Sequence, residues 1–311
     1  MTKQTQRARK RVALIVETSL GSGREILRGI AKFAHEIDSW QLFHVPRSLH
    51  DQIPGWMRDW QGDGIIARVQ NASMAKALSA SNIPVVDVLG VTENSKIPLV
   101  HVDDHAIAKE AAEHFFQAGF QHFAFYGFEG ENWSQRRCTE LRKRCEHRAS
   151  FDALETPRGP YEGSAMSRET LQGWLRKLPK PLAVMVASDQ RGLTLLEACR
   201  EEGLRVPERV AVVSVDNDVA LCEISSPPLS SIRAGHFRVG FEAAKLLETL
   251  MDGGGVPKRP TFVPPTGVVT RKSSDIRAIT DELVAEGLYL INEDLAGELT
   301  NESLARSIGI S

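Results

Sequence analysis

Two carboxylates, Asp189 and Asp216, each follow an apolar segment of strand length. The segments read PLAVMVAS before Asp189 and ERVAVVSV before Asp216, with one amphipathic helix pattern between them. Such apolar runs are typical of parallel strands buried on both faces, and side chains just past their carboxyl ends face a crevice where ligands bind. The pattern predicts that both carboxylates bind one polar ligand. The alternative, in which Asp189 caps a helix over residues 190–201 and Asp216 sits in an Asx-turn, stays open.

Charged residues also follow the first predicted strand, VALIVET, which ends at Glu17 and Thr18. The next residues, LGSGREILRG, suggest a dinucleotide-binding turn, but the third glycine position holds Ile26 and the fingerprint fails. A helix N-terminus still suits ligand oxygens, so Glu17 and Arg24 are candidate contacts. Arg24 as a solvated residue of the first helical turn is an equally good interpretation.

Two arginines, Arg136 and Arg137, open a predicted helix after the strand HFAFYG and the loop FEGENW. A guanidinium at this place can donate two hydrogen bonds to adjacent hydroxyls of a ligand, or it can face water. The sequence from His101 to His105 combines histidines with Asp103 and Asp104. It lacks a third ligand at metal-binding spacing, so a polar segment is a simpler interpretation than a metal centre.

The sequence contains no catalytic motif that supports an enzyme. Ser188 lacks the GxSxG context of a nucleophile elbow, and no phosphate-binding GKS or GKT occurs. We therefore expect ligand binding without turnover and without a cofactor.

Strand and helix patterns alternate from Arg11 onward, and this rhythm predicts a doubly wound α/β fold with parallel sheets. The alternation restarts near residue 119, so we expect two similar subdomains around a ligand cleft. The predicted boundaries are a basic arm over 1–10, one subdomain over 11–118 and 234–253, a second over 119–233 and 254–272, and a helical segment over 273–311.

Composition fits a globular protein with room for two domains: 311 residues, 42% of them hydrophobic and 25% charged, with a formal net charge of −2. The four cysteines show no paired spacing, which favours reduced, buried thiols. No apolar segment near the N-terminus is long enough for a secretory signal or a membrane span, so we expect a cytoplasmic protein.

The stretch VASDQRGLTLLEACREEGLRVPERVAVVSVDND, followed by SSPPLSSIR, resembles the effector domain of the lactose/galactose-repressor family. The resemblance covers about residues 11–272 and implies the periplasmic-binding-protein-like fold. The tail, DIRAITDELVAEGLYLINEDL and LTNESLARSIGIS, resembles the start of an arabinose-regulator-type helix-turn-helix domain. Asn301 is the predicted N-cap and Gly309 the stop of its last helix, and a recognition helix is expected after Ser311.

This combination resembles the bacterial regulators of xylose operons. It implies a sugar-responsive transcriptional activator that binds D-xylose or a similar sugar, pairs as a homodimer and acts on operator DNA. A transport system's sugar-binding protein and a regulator of another pentose or hexose remain alternatives. The resemblance implies sugar contacts at ten residues. They are Glu17, Arg24, Arg137, Asp189 and Asp216, with Asp103, Arg136, Arg191, Asn217 and Asp218 as further candidates.

Overall fold

A computed structural model of the chain describes residues 9–48, 54–91, 96–157, 165–294, 297 and 299–310. The described residues form two compact units. Unit 1 holds the chain up to Ala106, together with Glu131–Trp133 and Arg233–Thr266. Unit 2 holds Ile107–Gly130, Ser134–Ile232 and the chain from Gly267 onward. Each unit contains a parallel sheet and helices, which confirms the predicted α/β class.

Unit 1 contains a four-stranded parallel sheet in the order β2-β1-β3-β4 and a separate parallel pair of β5 and β11. Its elements are β1 Lys10–Ile15, α1 Gly21–Ile37, β2 Trp40–His44, a 3-10 helix Gly55–Asp59, β3 Gly64–Ala67, α2 Ala72–Ser79, β4 Val85–Asp87, β5 Val100–Val102, α8 His236–Met251 and β11 Thr261–Val263.

Helices α1 and α8 of unit 1 cross at two glycines. A Cβ atom on Gly29 would lie 1.9 Å from the carbonyl oxygen of Phe237, and one on Gly240 would lie 2.0 Å from that of Ile26. Only glycine therefore allows the two backbones to approach this closely. The close packing fixes the position of α1 against α8 within unit 1.

Unit 2 contains a six-stranded sheet in the order β12-β10-β9-β8-β6-β7, parallel except for β12. Its elements are α3 Asp104–Gln117 (from Ile107 onward), β6 His122–Phe128, α4 Asn132–Cys145 (from Ser134 onward), β7 Ser150–Thr156, α5 Ala165–Lys177, β8 Leu182–Val186, α6 Asp189–Glu201, β9 Val210–Val215, α7 Val219–Ile224, β10 Ser230–Ile232, β12 Val268–Val269, α9 Glu282–Glu293 and α10 Asn301–Ser307.

The observed units differ from the predicted boundaries at α3. Most of this helix belongs to unit 2, because Phe115 packs edge to face against Phe120 and Phe123. His114 Nε2 also lies 2.9 Å from Ser274 Oγ, further along the same unit. The sequence analysis placed the boundary at residue 118, between the end of α3 and the start of β6. The packing places it near the start of α3, between Ala106 and Ile107.

The apolar segment TFVPPTGVVTRKSS, which the sequence predicts as an edge strand interrupted by prolines, is divided between the two units. Residues Thr261–Val263 pair with β5 in unit 1, and Val268–Val269 pair with β10 in unit 2. Two prolines lie between these strands and interrupt the ladder because proline cannot donate a backbone hydrogen bond. The sequence pattern also predicts a helix near residues 49–60. Among the described residues of this segment, the structure has the 3-10 helix Gly55–Asp59, and residues 49–53 lie outside the described residues.

The tail belongs to unit 2 by its contacts. The Arg205 guanidinium pairs with the Glu286 carboxylate and lies 4.6 Å from the centre of the Tyr289 ring, so α9 is held against the segment before β9. The predicted N-cap of α10 was wrong: Thr300 caps the helix, in a capping box with Ser303. Gly309 follows the helix with a φ of 73°, as a helix stop requires.

All four cysteines are free and buried, as expected. Among the described residues, no helix is both long enough and apolar enough to cross a membrane.

Candidate functional site

In unit 1, Glu17 lies just past strand β1 and is almost completely buried, with 1% of its surface exposed. Its carboxylate accepts a hydrogen bond from Arg68, which follows the neighbouring strand β3. Arg68 is 8% exposed, and its guanidinium also lies 3.3 Å from Ser22 Oγ in the first turn of α1. The structure therefore gives Glu17 a buried counter-charge, which an isolated carboxylate in an interior would need.

The other two predicted residues of unit 1 make local contacts. Arg24 is exposed and donates from Nη1 to the Thr18 carbonyl oxygen at 2.9 Å. Asp103 is half-buried, and its Oδ1 accepts from the Ala106 backbone N–H at 2.9 Å at the start of α3. Arg24 therefore braces the loop after β1, and Asp103 stabilises the start of a helix.

In unit 2, Asp189 is fully buried and accepts three hydrogen bonds. The hydroxyls of Ser214 and Ser231 donate to Oδ1 at 2.5 and 2.6 Å, and the Asp218 backbone N–H donates to Oδ2 at 2.6 Å. The two serines are paired in register on β9 and β10, so both hydroxyls reach one carboxylate oxygen. Ser188, rather than Asp189, caps helix α6 with its side chain. The Asp189 side chain thus connects strands β9 and β10 to the turn that follows β9.

The turn after β9, Asp216–Asp218, is held by its own backbone. The N–H groups of Asp216, Asn217 and Asp218 donate to the Ile232 carbonyl oxygen, Ser231 Oγ and Asp189 Oδ2, respectively. Asp216 has a φ of 106° and Asn217 a φ of 52°, values that L-residues rarely adopt. Non-glycine residues held in this way cluster at ligand sites, where the surrounding contacts over-determine the backbone.

Arg271 connects this turn to the chain that follows β12. Its Nη1 donates to Asn217 Oδ1 at 3.0 Å and to the Leu229 carbonyl oxygen at 2.9 Å. The backbone N–H of Arg271 bonds to Ser230 Oγ at 2.8 Å. Arg271 thus fixes the Asn217 side chain as well as the strand beside it.

The environment of Asp189 changes its protonation. Burial, and then the neighbouring negative charge of Asp216, raise the pKa of Asp189 to about 7, against the hydrogen bonds from Ser214, Ser231 and Asp218. Burial likewise raises the pKa of Asp87, at the end of β4 in unit 1, to about 6. Asp87 accepts hydrogen bonds from the backbone N–H groups of Val69, Leu89 and Gly90. It therefore holds the segments that follow β3 and β4 at the carboxyl end of the unit 1 sheet.

The three predicted arginines of unit 2 differ in their surroundings. Arg137 is buried and donates from Nη1 to the Ala187 carbonyl oxygen at 2.7 Å, next to the start of α6. Arg136 is half-buried on α4. Arg191 is buried with its guanidinium 3.9 Å from the Phe128 ring centre, and its Nη2 donates to the Thr156 carbonyl oxygen at 2.9 Å. Arg191 therefore anchors the end of β7.

Four residues that contact the predicted site residues Glu17, Asp189 and Asn217 were not predicted from the sequence. They are Arg68, Ser214, Ser231 and Arg271. Arg68 carried the signal used for Glu17, since it follows the apolar strand GIIA directly. The two serines are polar positions within buried strands, a pattern that also requires a partner. Arg271 lay in a segment without strand periodicity, so no sequence signal linked it to Asn217.

The segment with two histidines is not arranged as a metal centre. His101 and Asp104 are buried with His101 Nε2 and Asp104 Oδ2 3.7 Å apart. The residues that the structure describes contain no group of three or more His, Cys, Asp or Glu side chains placed to hold a metal.

Two protein-family models match the chain. The periplasmic binding protein-like domain matches residues 112–274, and the XylR N-terminal domain matches residues 11–105. The first spans more than half of the chain. The two matches meet close to the start of α3, where the described residues divide into units.

Curated relatives and solved structures agree with these matches. The xylose operon regulatory protein of Escherichia coli (strain K12) is 28% identical over 97% of this chain and 79% of the relative. That of Haemophilus influenzae is also 28% identical, over 90% of this chain and 74% of the relative. The solved structure of the xylose-binding transcription activator XylR is 25% identical, with a TM-score of 0.85 over 98% of this chain and 80% of that chain.

These relatives are transcription regulators and not enzymes, which confirms the expected class of function. The fold, the two family matches and the similarity over nearly the whole chain all lead to one assignment. The chain belongs to the periplasmic binding protein-like family, among its sugar-responsive transcriptional regulators.

Proposed function

We propose that this protein binds D-xylose or a closely similar sugar and, in response, controls transcription of sugar-utilisation genes. The observation that carries the proposal is the turn Asp216–Asp218. Its strained backbone is held by three N–H bonds at the carboxyl end of a buried parallel strand. Ligands of open α/β sheets bind at this edge, and carboxylates there accept hydrogen bonds from sugar hydroxyls.

Within this proposal the predicted residues take two kinds of role. In unit 2, we propose Asp216, Asn217 and Arg137 as sugar contacts. In unit 1, Glu17 and Arg24 stay the proposed contacts. Asp189 positions the Asp216 turn, because its carboxylate already accepts three hydrogen bonds within unit 2. Asp103, Arg136, Arg191 and Asp218 act around these contacts: Asp103 at a helix start, Arg191 at the end of β7 and Asp218 through its backbone N–H.

The response to sugar requires a second event, which we propose to be operator binding by a cytoplasmic homodimer that acts as an activator. The similarity to the solved structure of a xylose-binding transcription activator supports the activator role. Sugar that binds one conformation of the protein more tightly than another favours that conformation, and operator affinity changes by the same coupling free energy.

Thermal unfolding with a panel of ligands tests the sugar assignment. D-xylose is expected to raise the melting temperature, since a ligand at one hundred times its Kd stabilises the native state by about 2.7 kcal/mol. Sugar phosphates are expected to have little effect because no phosphate-binding glycine loop is present. Stabilisation by a sugar phosphate or a purine, with no effect of pentoses, would contradict the proposal.

The Asp216 contact is tested by Asp216→Asn, which keeps the shape of the side chain and removes its charge. We expect a loss of about 1.5–3 kcal/mol of sugar affinity by calorimetry, the value of a hydrogen bond to a charged group. Asp38→Asn is the matched control, because Asp38 is also an aspartate at positive φ but lies exposed after α1. Equal sugar affinity in the two variants would remove Asp216 from the site.

A further inference from the structure

The Ser214 hydroxyl lies between two acceptors in unit 2. Its Oγ is 2.5 Å from Asp189 Oδ1 and 3.2 Å from the Ser230 carbonyl oxygen. A serine hydroxyl carries a single hydrogen, so it can donate to only one of these oxygens at a time. When Asp189 is ionised, the hydrogen points to Oδ1. The direction in which Ser214 donates therefore depends on whether Asp189 carries a proton.

A proton on Asp189 Oδ1 fits the observed distances. Oδ2 lies 2.6 Å from a donor, the Asp218 backbone N–H, whereas Oδ1 lies beside Ser214 Oγ, which can also accept. Oδ1–H then donates to Ser214, and the Ser214 hydroxyl donates to the Ser230 carbonyl oxygen. Oδ1 still accepts from the Ser231 hydroxyl at 2.6 Å. The neutral acid therefore keeps a partner at both oxygens.

The titratable groups that face Asp189 come from the turn after β9 and from α7. Burial, and then the negative charge of Asp216 in that turn, raise the pKa of Asp189 to about 7. Asp218 presents its backbone N–H to the carboxylate. On α7, burial and then the charge of Asp189 raise the pKa of the Cys222 thiol to about 12. The Asp189 proton therefore exchanges near neutral pH, whereas the thiol keeps its own.

Two arginines beside this cluster donate to neutral oxygens. Arg137 Nη1 lies 2.7 Å from the Ala187 carbonyl oxygen, two residues before Asp189. Arg271 Nη1 lies 3.0 Å from Asn217 Oδ1. The donors to Asp189 itself are two hydroxyls and a backbone N–H, all of them neutral. A neutral acid costs less to bury among such partners than an ionised one.

We propose that Asp189 is a positioning residue that acts in its protonated form: its proton keeps the turn Asp216–Asp218 in the geometry that binds sugar. Loss of the proton leaves two negative charges, Asp189 and Asp216, at the same turn, and their repulsion acts across it. This inference rests on the proposed function and adds proton linkage to it. Because sugar and proton favour the same form, sugar binding takes up protons near neutral pH.

Calorimetry of D-xylose binding from pH 6 to pH 8.5 tests the inference. The affinity should be highest at the acidic end and be lost as the pH rises through the pKa of Asp189. We expect Kd to rise about 10-fold, which corresponds to a proton held about tenfold more tightly by the bound protein. At pH 7, binding heats in phosphate and in Tris, whose ionisation enthalpies differ, should differ and report proton uptake.

Asp189→Asn separates the proton from the rest of the side chain. Its amide is neutral at every pH of this range and can donate to Ser214 Oγ, as the protonated acid does. We expect this variant to bind D-xylose with a Kd that does not change with pH. A purely structural role would lower the affinity without removing its pH dependence.

The matched control is Asp87→Asn in unit 1. Asp87 is also a buried acid at the end of a strand, with a pKa raised to about 6, but its donors are backbone N–H groups. The control should keep the wild-type pH dependence above pH 7, because Asp87 is ionised throughout that range.

Three results overturn the inference while the proposed function stands. The first is a wild-type Kd that is the same at pH 6 and pH 8.5, with equal heats in the two buffers. The others are an Asp189→Asn variant that keeps the pH dependence and an Asp87→Asn variant that loses it. The wild-type measurements need neither variant to fold. Failure of the wild-type protein to bind any sugar overturns the proposed function, and the inference with it.

Discussion

The two units each bury a carboxylate past a parallel strand, and they stabilise it differently. In unit 1, Glu17 is paired with the opposite charge of Arg68 and keeps one oxygen without a partner. In unit 2, Asp189 has only neutral donors for its three hydrogen bonds and a second acid, Asp216, nearby. Position at a strand end therefore does not decide a carboxylate's role. Its partners decide whether it presents an atom to a ligand or holds a turn.

The largest expected effect is that of Arg68→Met alone. It leaves the Glu17 carboxylate buried without its counter-charge, so the free energy of unfolding should fall by about 3–5 kcal/mol. Glu17→Gln/Arg68→Met should recover most of that loss because no buried charge is left unpaired. Chemical denaturation of the two variants measures both values. A single variant as stable as the double variant would show that the pair is not a buried ion pair.

The second-largest loss of stability is expected for Asp189→Ala. It removes the acceptor of two hydroxyls and of the Asp218 backbone N–H in a fully buried place, at a cost of about 2–4 kcal/mol of unfolding free energy. Asp216→Ala should cost less stability, because the three backbone N–H bonds that hold the turn remain in this variant. Denaturation curves in which Asp216→Ala is the more damaging variant would reverse the roles that we assign.

The pH dependence of stability tests the buried environment of Asp189. The folded-state pKa of Asp189 is raised to about 7 from an ordinary value near 3.8, so between these values the native state binds more protons than the unfolded state. Its contribution to stability is therefore present below pH 4 and is lost as the pH rises towards 7, with a slope of up to about 1.4 kcal/mol per pH unit.

Unfolding measured from pH 4.5 to 7 should show this loss in the wild-type protein and a smaller loss in Asp189→Asn. Asp87, whose pKa is raised to about 6, contributes to the slope in both proteins and so cancels in the difference. Identical slopes would mean that Asp189 is ionised throughout this range.

The smallest effect is expected for Asn217→Gly. Glycine keeps the positive φ of this position and removes only the Oδ1 acceptor of Arg271, so about 1 kcal/mol of stability should be lost. If sugar affinity falls while stability is unchanged, Asn217 acts as a ligand contact and not as part of the scaffold. Asn217→Ala, which adds backbone strain at the same place, provides the comparison.

Sequence periodicity alone predicted the class of fold, because apolar strands alternate with amphipathic helices in both halves. It also identified the strand ends at Glu17, Asp189 and Asp216, since a polar residue after a buried strand is visible in one dimension. The helix over 190–201 and the helical character of the tail were predicted for the same reason: periodicity is local.

What each of these residues does depends on its contacts with residues far away in the chain. Asp189 meets Ser231, and Asn217 meets Arg271, through sheet register across 42 and 54 positions of sequence. Glu17 meets Arg68 across 51 positions. No local pattern reports such contacts, because they depend on which strands pair and at what register. The same limit applies to α3 and to the segment around Thr261–Val263, whose units were set by packing and strand pairing rather than by their place in the chain.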